Sequence, residues 1–199
     1  MINKHPKRKI AAAGGFTLME TLMAVLLLSV ALAGPMTIAA RGIQAATVSR
    51  DQDTAFYLAQ EAVEYVRFVR DTNKLNATTD WLAALDGSAP SPAWSGGGSP
   101  TVNTANGSGA CENANGCYVD SLQNTITTCS ASGCPALLYD SANYDYNYTT
   151  GSATVFKRAV KIATPVGSNA GEASVTVTVT WSDPLAHTVT VREDIFSWQ

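Results

Sequence analysis

Between Phe16 and Ala40 every position is Ala, Val, Ile, Leu, Met or Phe except Thr17, Glu20, Thr21, Ser29, Gly34, Pro35 and Thr37, and the only charge is Glu20. As a helix this run would be about 38 Å long at 1.5 Å per residue, enough to cross a hydrocarbon core of about 30 Å. Leu, Val and Phe each favour insertion by about 0.3–0.6 kcal/mol near the bilayer centre, whereas an acid there costs about 2.5–3.5 kcal/mol. Glu20 sits only one turn into the run, near the interface, where its cost is smaller. The segment is expected to insert as a transmembrane helix.

Charge gives it a direction. Residues 1–15 carry Lys4, Lys7, Arg8 and Lys9 with no acid, a charge of +4; the formal net charge of −3 therefore leaves −7 for the rest of the chain. A basic head ahead of an apolar run belongs on the cytoplasmic side of a membrane, with the C-terminal part extracytoplasmic. An acidic body argues against nucleic acid as a partner, since phosphate binding needs a basic face on the folded part.

The order of features excludes a secretory signal peptide. Its small-residue cleavage site would follow the apolar run, yet Ala11-Ala12-Ala13-Gly14-Gly15 precedes it, and the run is longer than the apolar core of such a peptide. An uncleaved anchor explains neither the Gly-Gly pair nor an acid so soon after it. The stretch Gly14-Gly15-Phe16-Thr17-Leu18-Met19-Glu20-Thr21-Leu22 resembles the prepilin cleavage and methylation motif of type IV pilins and type II secretion pseudopilins. The resemblance implies cleavage between Gly15 and Phe16 by a prepilin peptidase, methylation of the new amine on Phe16, and an assembly role for Glu20. An ionised acid in lipid needs a partner, and the Phe16 amine, in the same or a neighbouring subunit, would supply one. Gly34-Pro35 is expected to kink or locally melt the helix, at a place where pilin relatives often carry a helix breaker.

From Gln44 to about Thr72 the helical period continues in water-compatible residues. Ala55, Leu58, Ala62, Tyr65 and Val69 form one apolar stripe and Phe56, Ala59, Val63 and Val66 an adjacent one. Glu64–Arg67 and Arg67–Asp71 stand at pairing distances along the helix. Beyond Asn73, Trp81–Leu85 reads as a short helix or a docking strip, and Ser88–Gly109, rich in Gly, Ser, Pro, Asn and Thr, as loop or disorder. Thr154–Ala163, Ser174–Trp181 and His187–Val191 alternate apolar and polar residues as strands do. A reversal at Asp183-Pro184 would join the last two, and Cys117–Asp120, Ala136–Asp140 and Tyr144–Tyr148 are further candidates. The expected fold is α+β: a basic leader over 1–15, a transmembrane helix half over 16–43, an amphipathic half over 44–72, and a globular domain over 73–199. That domain would hold a loop region, 73–116, and an antiparallel sheet of about four or five strands over about 117–196, covered by the amphipathic half. The resemblance to minor pilins and pseudopilins extends through Ala55–Glu64, Val155–Arg158 and the strand pair containing Thr180-Trp181.

Cys111, Cys117, Cys129 and Cys134 are clustered in the middle of the chain. In an exported domain an even, clustered count reads as two disulfides; three pairings are open, and local closure favours Cys111–Cys117 with Cys129–Cys134. The spacings within these pairs are longer than those of a zinc ribbon and suit one poorly. No catalytic constellation forms around His187, and Asp140, Asn143, Asp145 and Asn147 do not match a calcium loop. Neither enzyme activity nor a cofactor or metal is expected. The resemblance implies a structural subunit of a type IV pilus or type II secretion filament, first single-pass in the cytoplasmic membrane and then in a filament at the cell surface or in the periplasm. Its partners would be prepilin peptidase, other pilins or pseudopilins, an inner-membrane assembly platform and membrane lipid. The alternative is an uncleaved, membrane-anchored extracytoplasmic binding domain or adhesin.

Overall fold

The structure, a computed structural model, describes residues 14–76, 80–86, 101–103, 110–164, 171–182 and 185–198. The leader before Gly14, the Asp183-Pro184 reversal and most of Ser88–Gly109 lie outside the described residues. The chain divides into two compact units at Thr47/Val48.

Helix α1 spans Leu18–Leu75 and contains Pro35. The helix runs on through Pro35, and the Thr37 hydroxyl donates to the Gly34 carbonyl at 2.7 Å one turn back. In the first unit every large apolar side chain of α1 is exposed, from Leu18 to Ile43.

The second unit is built on an alternating pattern meeting a helical one. Its strands are β1 (Thr101–Asn103), β2 (Cys117–Asp120), β3 (Thr125–Thr128), β4 (Ala136–Asp140), β5 (Asp145–Asn147), β6 (Ser152–Ala163), β7 (Glu172–Ser182) and β8 (Ala186–Phe196). All eight join one sheet, more than the sequence pattern leads one to expect. Strand β6 is the hub. On one side it pairs with β7, which pairs with β8; on its other side it pairs with β4 toward its start and with β2 at Val160. Pairing is antiparallel except between β1 and β3, which run parallel. Alternation along β7 puts Val175, Val177, Val179 and Trp181 inside, as their period of two requires.

The apolar stripes of α1 cover that face. Ala55, Leu58, Ala59, Ala62, Val63, Val66 and Val69 share one core with Val119, Ile126, Leu137, Val160 and Ile195. Phe56 departs from its expected stripe and is 45% exposed, because its position rotates past the edge of the buried arc. Trp81–Leu85 is a run of turns and not a helix, but it is buried as a docking strip should be. Buried Asn73 holds it, donating through Nδ2 to the carbonyls of Trp81 at 3.1 Å and Ala83 at 3.0 Å. This satisfies polar groups that burial would otherwise leave at a cost.

The disulfides are Cys111–Cys117 and Cys129–Cys134, the pairing favoured by local closure. Cys111 also donates its N–H to the Leu85 carbonyl and accepts from the Ile162 N–H, so the docking strip, the first bridge and β6 are tied at one residue. Gly116 makes this possible. At φ +73°, a Cβ there would stand 2.6 Å from the Val160 carbonyl oxygen, and only glycine fits both demands.

Candidate functional site

The helix start is shaped by Thr17, Glu20 and Thr21. The Thr17 hydroxyl oxygen accepts the Glu20 N–H at 3.2 Å, and its carbonyl accepts the Thr21 N–H at 3.2 Å. Thr17 is thus the N-cap, and Glu20 occupies the third helical position. A carboxylate there faces the positive end of the helix dipole, worth about 0.3–1 kcal/mol at an exposed site. Thr17-x-x-Glu20 is the spacing of a capping box, a signal present in the sequence but overshadowed there by the cleavage motif. It gives Glu20 a local use that an uncleaved anchor would share.

Gly14 and Gly15 are exposed, with open space where a Cβ would stand. Phe16 is 81% exposed. The Gly15–Phe16 bond is therefore left uncovered by the described residues. The helix that follows is long and apolar enough to be a candidate membrane span, and none of its most apolar stretch is buried. An apolar surface of that size requires lipid or other helices to cover it.

The second unit holds a polar constellation at the seam between α1 and the sheet. Arg158 is 1% exposed on β6. Its Nη1 donates to the Leu58 carbonyl at 2.9 Å and to Glu61 Oε2 at 3.0 Å, and its Nη2 donates to the Val119 carbonyl at 2.8 Å. One guanidinium thereby joins helix, β2 and β6. The Tyr148 ring lies 6.0 Å from it, and burial pushes the Tyr148 phenol up. Asp120, buried beside them, accepts the N–H groups of Leu122 and Gln123 through one oxygen and of Tyr148 through the other. Arg158 as a buried charge was not anticipated from the sequence. Its signal was its phase, since Phe156, Arg158, Val160 and Ile162 share one face of an alternating strand.

Other expected pairings change. Arg67 pairs with Glu64 at 2.6 Å as anticipated, but its second partner is Glu193 of β8 and not Asp71, which pairs with Arg70. A partner across the sheet outcompetes one along the helix because it also engages the guanidinium Nε. The acidic turn residues are engaged as well. Asp140 accepts the Ala142 N–H and the Asn143 side-chain amide, Asp145 accepts the Asn147 side-chain amide, and Asn147 accepts the N–H groups of Thr149 and Thr150. His187 stacks on Trp181 at 5.2 Å. Among the described residues, no group of three or more His, Cys, Asp or Glu is placed to hold a metal.

Compared with protein-family models, curated proteins and solved structures, the chain matches none.

Proposed function

We propose that this protein is a pilin-like precursor, a minor pilin or pseudopilin that is cut between Gly15 and Phe16 and then built into a filament through its N-terminal helix. The observation that carries the reading is the Gly14-Gly15-Phe16…Glu20 motif standing directly before an apolar helix whose most apolar stretch is left uncovered by the described residues. The domain architecture, an amphipathic helix segment laid on a mainly antiparallel sheet, is compatible with it.

In this reading the chain first spans the cytoplasmic membrane with its N-terminus inside. Cleavage by prepilin peptidase exposes an amine on Phe16, which is methylated. On passing into a filament the apolar half exchanges lipid for the helices of neighbouring subunits. An assembly platform in the inner membrane receives the subunit, and a separate cytoplasmic ATPase supplies the energy for the transfer. Glu20 then pairs with the Phe16 amine of a neighbour, because an unpaired carboxylate among apolar helices is unfavourable. The protein's role is structural, with no catalysis and no cofactor of its own.

A second reading, an uncleaved anchor bearing a binding domain, is favoured by one observation: the Thr17 cap starts the helix so that Glu20 stands in its first turn, where a carboxylate suits the helix dipole without any filament. Assembly separates the two. In cells with a complete pilus or secretion system, the wild-type chain is expected in sheared filament fractions, while Glu20→Ala is cleaved but stays in the membrane. Equal recovery of both proteins from filaments would remove the assembly role of Glu20; absence of both from filaments would favour the anchor.

A further inference from the structure

Along one flank of α1 the second unit carries an open groove. A hollow of about 410 Å³ is lined by Tyr57 and Glu61 of the helix, Ser121 of the β2–β3 turn, and Tyr144, Asp145 and Tyr146 of the β4–β5 hairpin. A second hollow of about 370 Å³ continues it past Glu64 and Phe68, sharing Glu61 and Ser121. From Thr54 to Phe68 the helix rises about 21 Å, the length of about six residues of extended peptide.

The lining is aromatic and anionic. No lysine or arginine lines either hollow among the described residues, whereas Glu61, Glu64 and Asp145 do. Glu61 is engaged at both oxygens, Oε2 by the buried Arg158 and Oε1 by the Ser121 hydroxyl, so the anionic character the groove presents is that of Asp145 and, further along, Glu64. Arg67, beside Glu64, is shared with Glu193 and leaves that trio net negative. Arg50 and Asp51 both act on Tyr146 and oppose each other.

Two rings stand out from the surface. Tyr57 is 69% exposed and Tyr144 is 80% exposed. Tyr144 also sits at φ +59°, a conformation that is rare for a bulky residue and that glycine would adopt without strain. Exposed aromatic faces beside carboxylates attract organic cations, arginine above all.

We propose that this groove binds an extended basic peptide segment of a partner protein, with an arginine or lysine side chain among the rings of Tyr57, Tyr144 and Tyr146 and its charge met by Asp145. The site lies wholly within Val48–Gln199 and does not rest on the filament reading, so failure of N-terminal processing would leave it standing.

The test is calorimetric titration of the full chain, in nonionic detergent, with an acetylated alternating alanine–arginine hexapeptide amide and its alanine–glutamate counterpart. The arginine peptide is expected to bind at least tenfold tighter, with affinity falling as salt rises. Tyr144→Gly and Asp145→Asn should each weaken it at least threefold, with no loss of thermal stability. Tyr144→Gly removes the ring and suits the left-handed backbone there, and Asp145→Asn keeps an acceptor for Asn147. No binding of the arginine peptide by the folded chain, equal binding of both peptides, or unchanged affinity in both variants would overturn the proposal. So would preferential binding of a neutral trisaccharide such as maltotriose.

Discussion

Arg158 reaches across the helix–sheet seam to Glu61, Nη1 to Oε2 at 3.0 Å, with the arginine 1% and the glutamate 36% exposed. The asymmetry decides what each side chain contributes. Water can still reach Glu61, whereas Arg158 depends on its protein partners. Removing Arg158 opens a cavity and leaves the Leu58 and Val119 carbonyls short of a donor. Arg158→Ala should destabilise the domain by about 3–5 kcal/mol. Glu61→Gln, which keeps an acceptor for the guanidinium, should cost no more than about 1–3 kcal/mol. Urea unfolding of both variants checks the order, and a larger loss for Glu61→Gln would contradict it.

The Cys111–Cys117 bridge closes a loop with a sequence separation of 6. Constraint of so short a loop in the unfolded chain is worth about 2 kcal/mol. Because Cys111 also carries the hydrogen bonds to Leu85 and Ile162, its loss should loosen the docking strip as well. Replacing Cys111 and Cys117 by alanine is expected to lower stability by about 2–4 kcal/mol. It should also speed amide exchange at position 111, whose N–H donates to Leu85, and at Ile162 more than the corresponding Cys129/Cys134 replacement does. Hydrogen exchange by mass spectrometry reads this directly.

Tyr65 donates its hydroxyl to Asn124 at 2.9 Å, and burial, with nearby Asp120 adding to it, raises its phenol well above its ordinary range. The fold therefore holds the neutral form. Its stabilising effect is fully present below the unfolded value of about 10 and is lost as pH rises from there through the folded value. In a spectroscopic titration the buried tyrosines should ionise only as the domain unfolds. Smooth ionisation of every tyrosine near pH 10 in a still-folded protein would refute this.

Asp140 works in the opposite direction. Its carboxylate accepts the Ala142 N–H and the Asn143 amide at the head of the β4–β5 turn, and these bonds hold its pKa below the usual value. Its contribution to the turn is present above the unfolded value of about 3.9 and disappears as pH falls through the lower folded value. Asp140→Asn should abolish the acid-induced change in the Ala142 amide resonance seen in the wild type.

Much of the fold was legible because burial imposes a period. The stripe from Ala55 to Val69 marked the covering helix, and the Val/Thr alternation marked β7 with its inner face; β2 and β4 carry the bounds expected of them. Strands β1 and β3 escaped because β1 lies in a stretch that reads as loop and β3 offers a single apolar residue, Ile126, among threonines, so their identity comes from partners. The Gly14-Gly15-Phe16…Glu20 pattern was legible as a local motif, and its cleavage is part of the proposed function. The groove was not, since it forms only when Tyr57, Ser121 and Asp145 are brought together by the fold. Arg158 hid in plain phase, a charge at a core position made tolerable by carbonyls from distant segments.

The proposed maturation is a covalent event at the N-terminus. Its most direct test is the intact mass of the protein expressed with and without a prepilin peptidase. A peptidase-dependent product that begins at Phe16 is expected, with one methyl group on the amine when the methylating activity is present. A chain that still begins at Met1 beside an active peptidase would contradict it, and the apolar helix would then be an anchor for the domain alone.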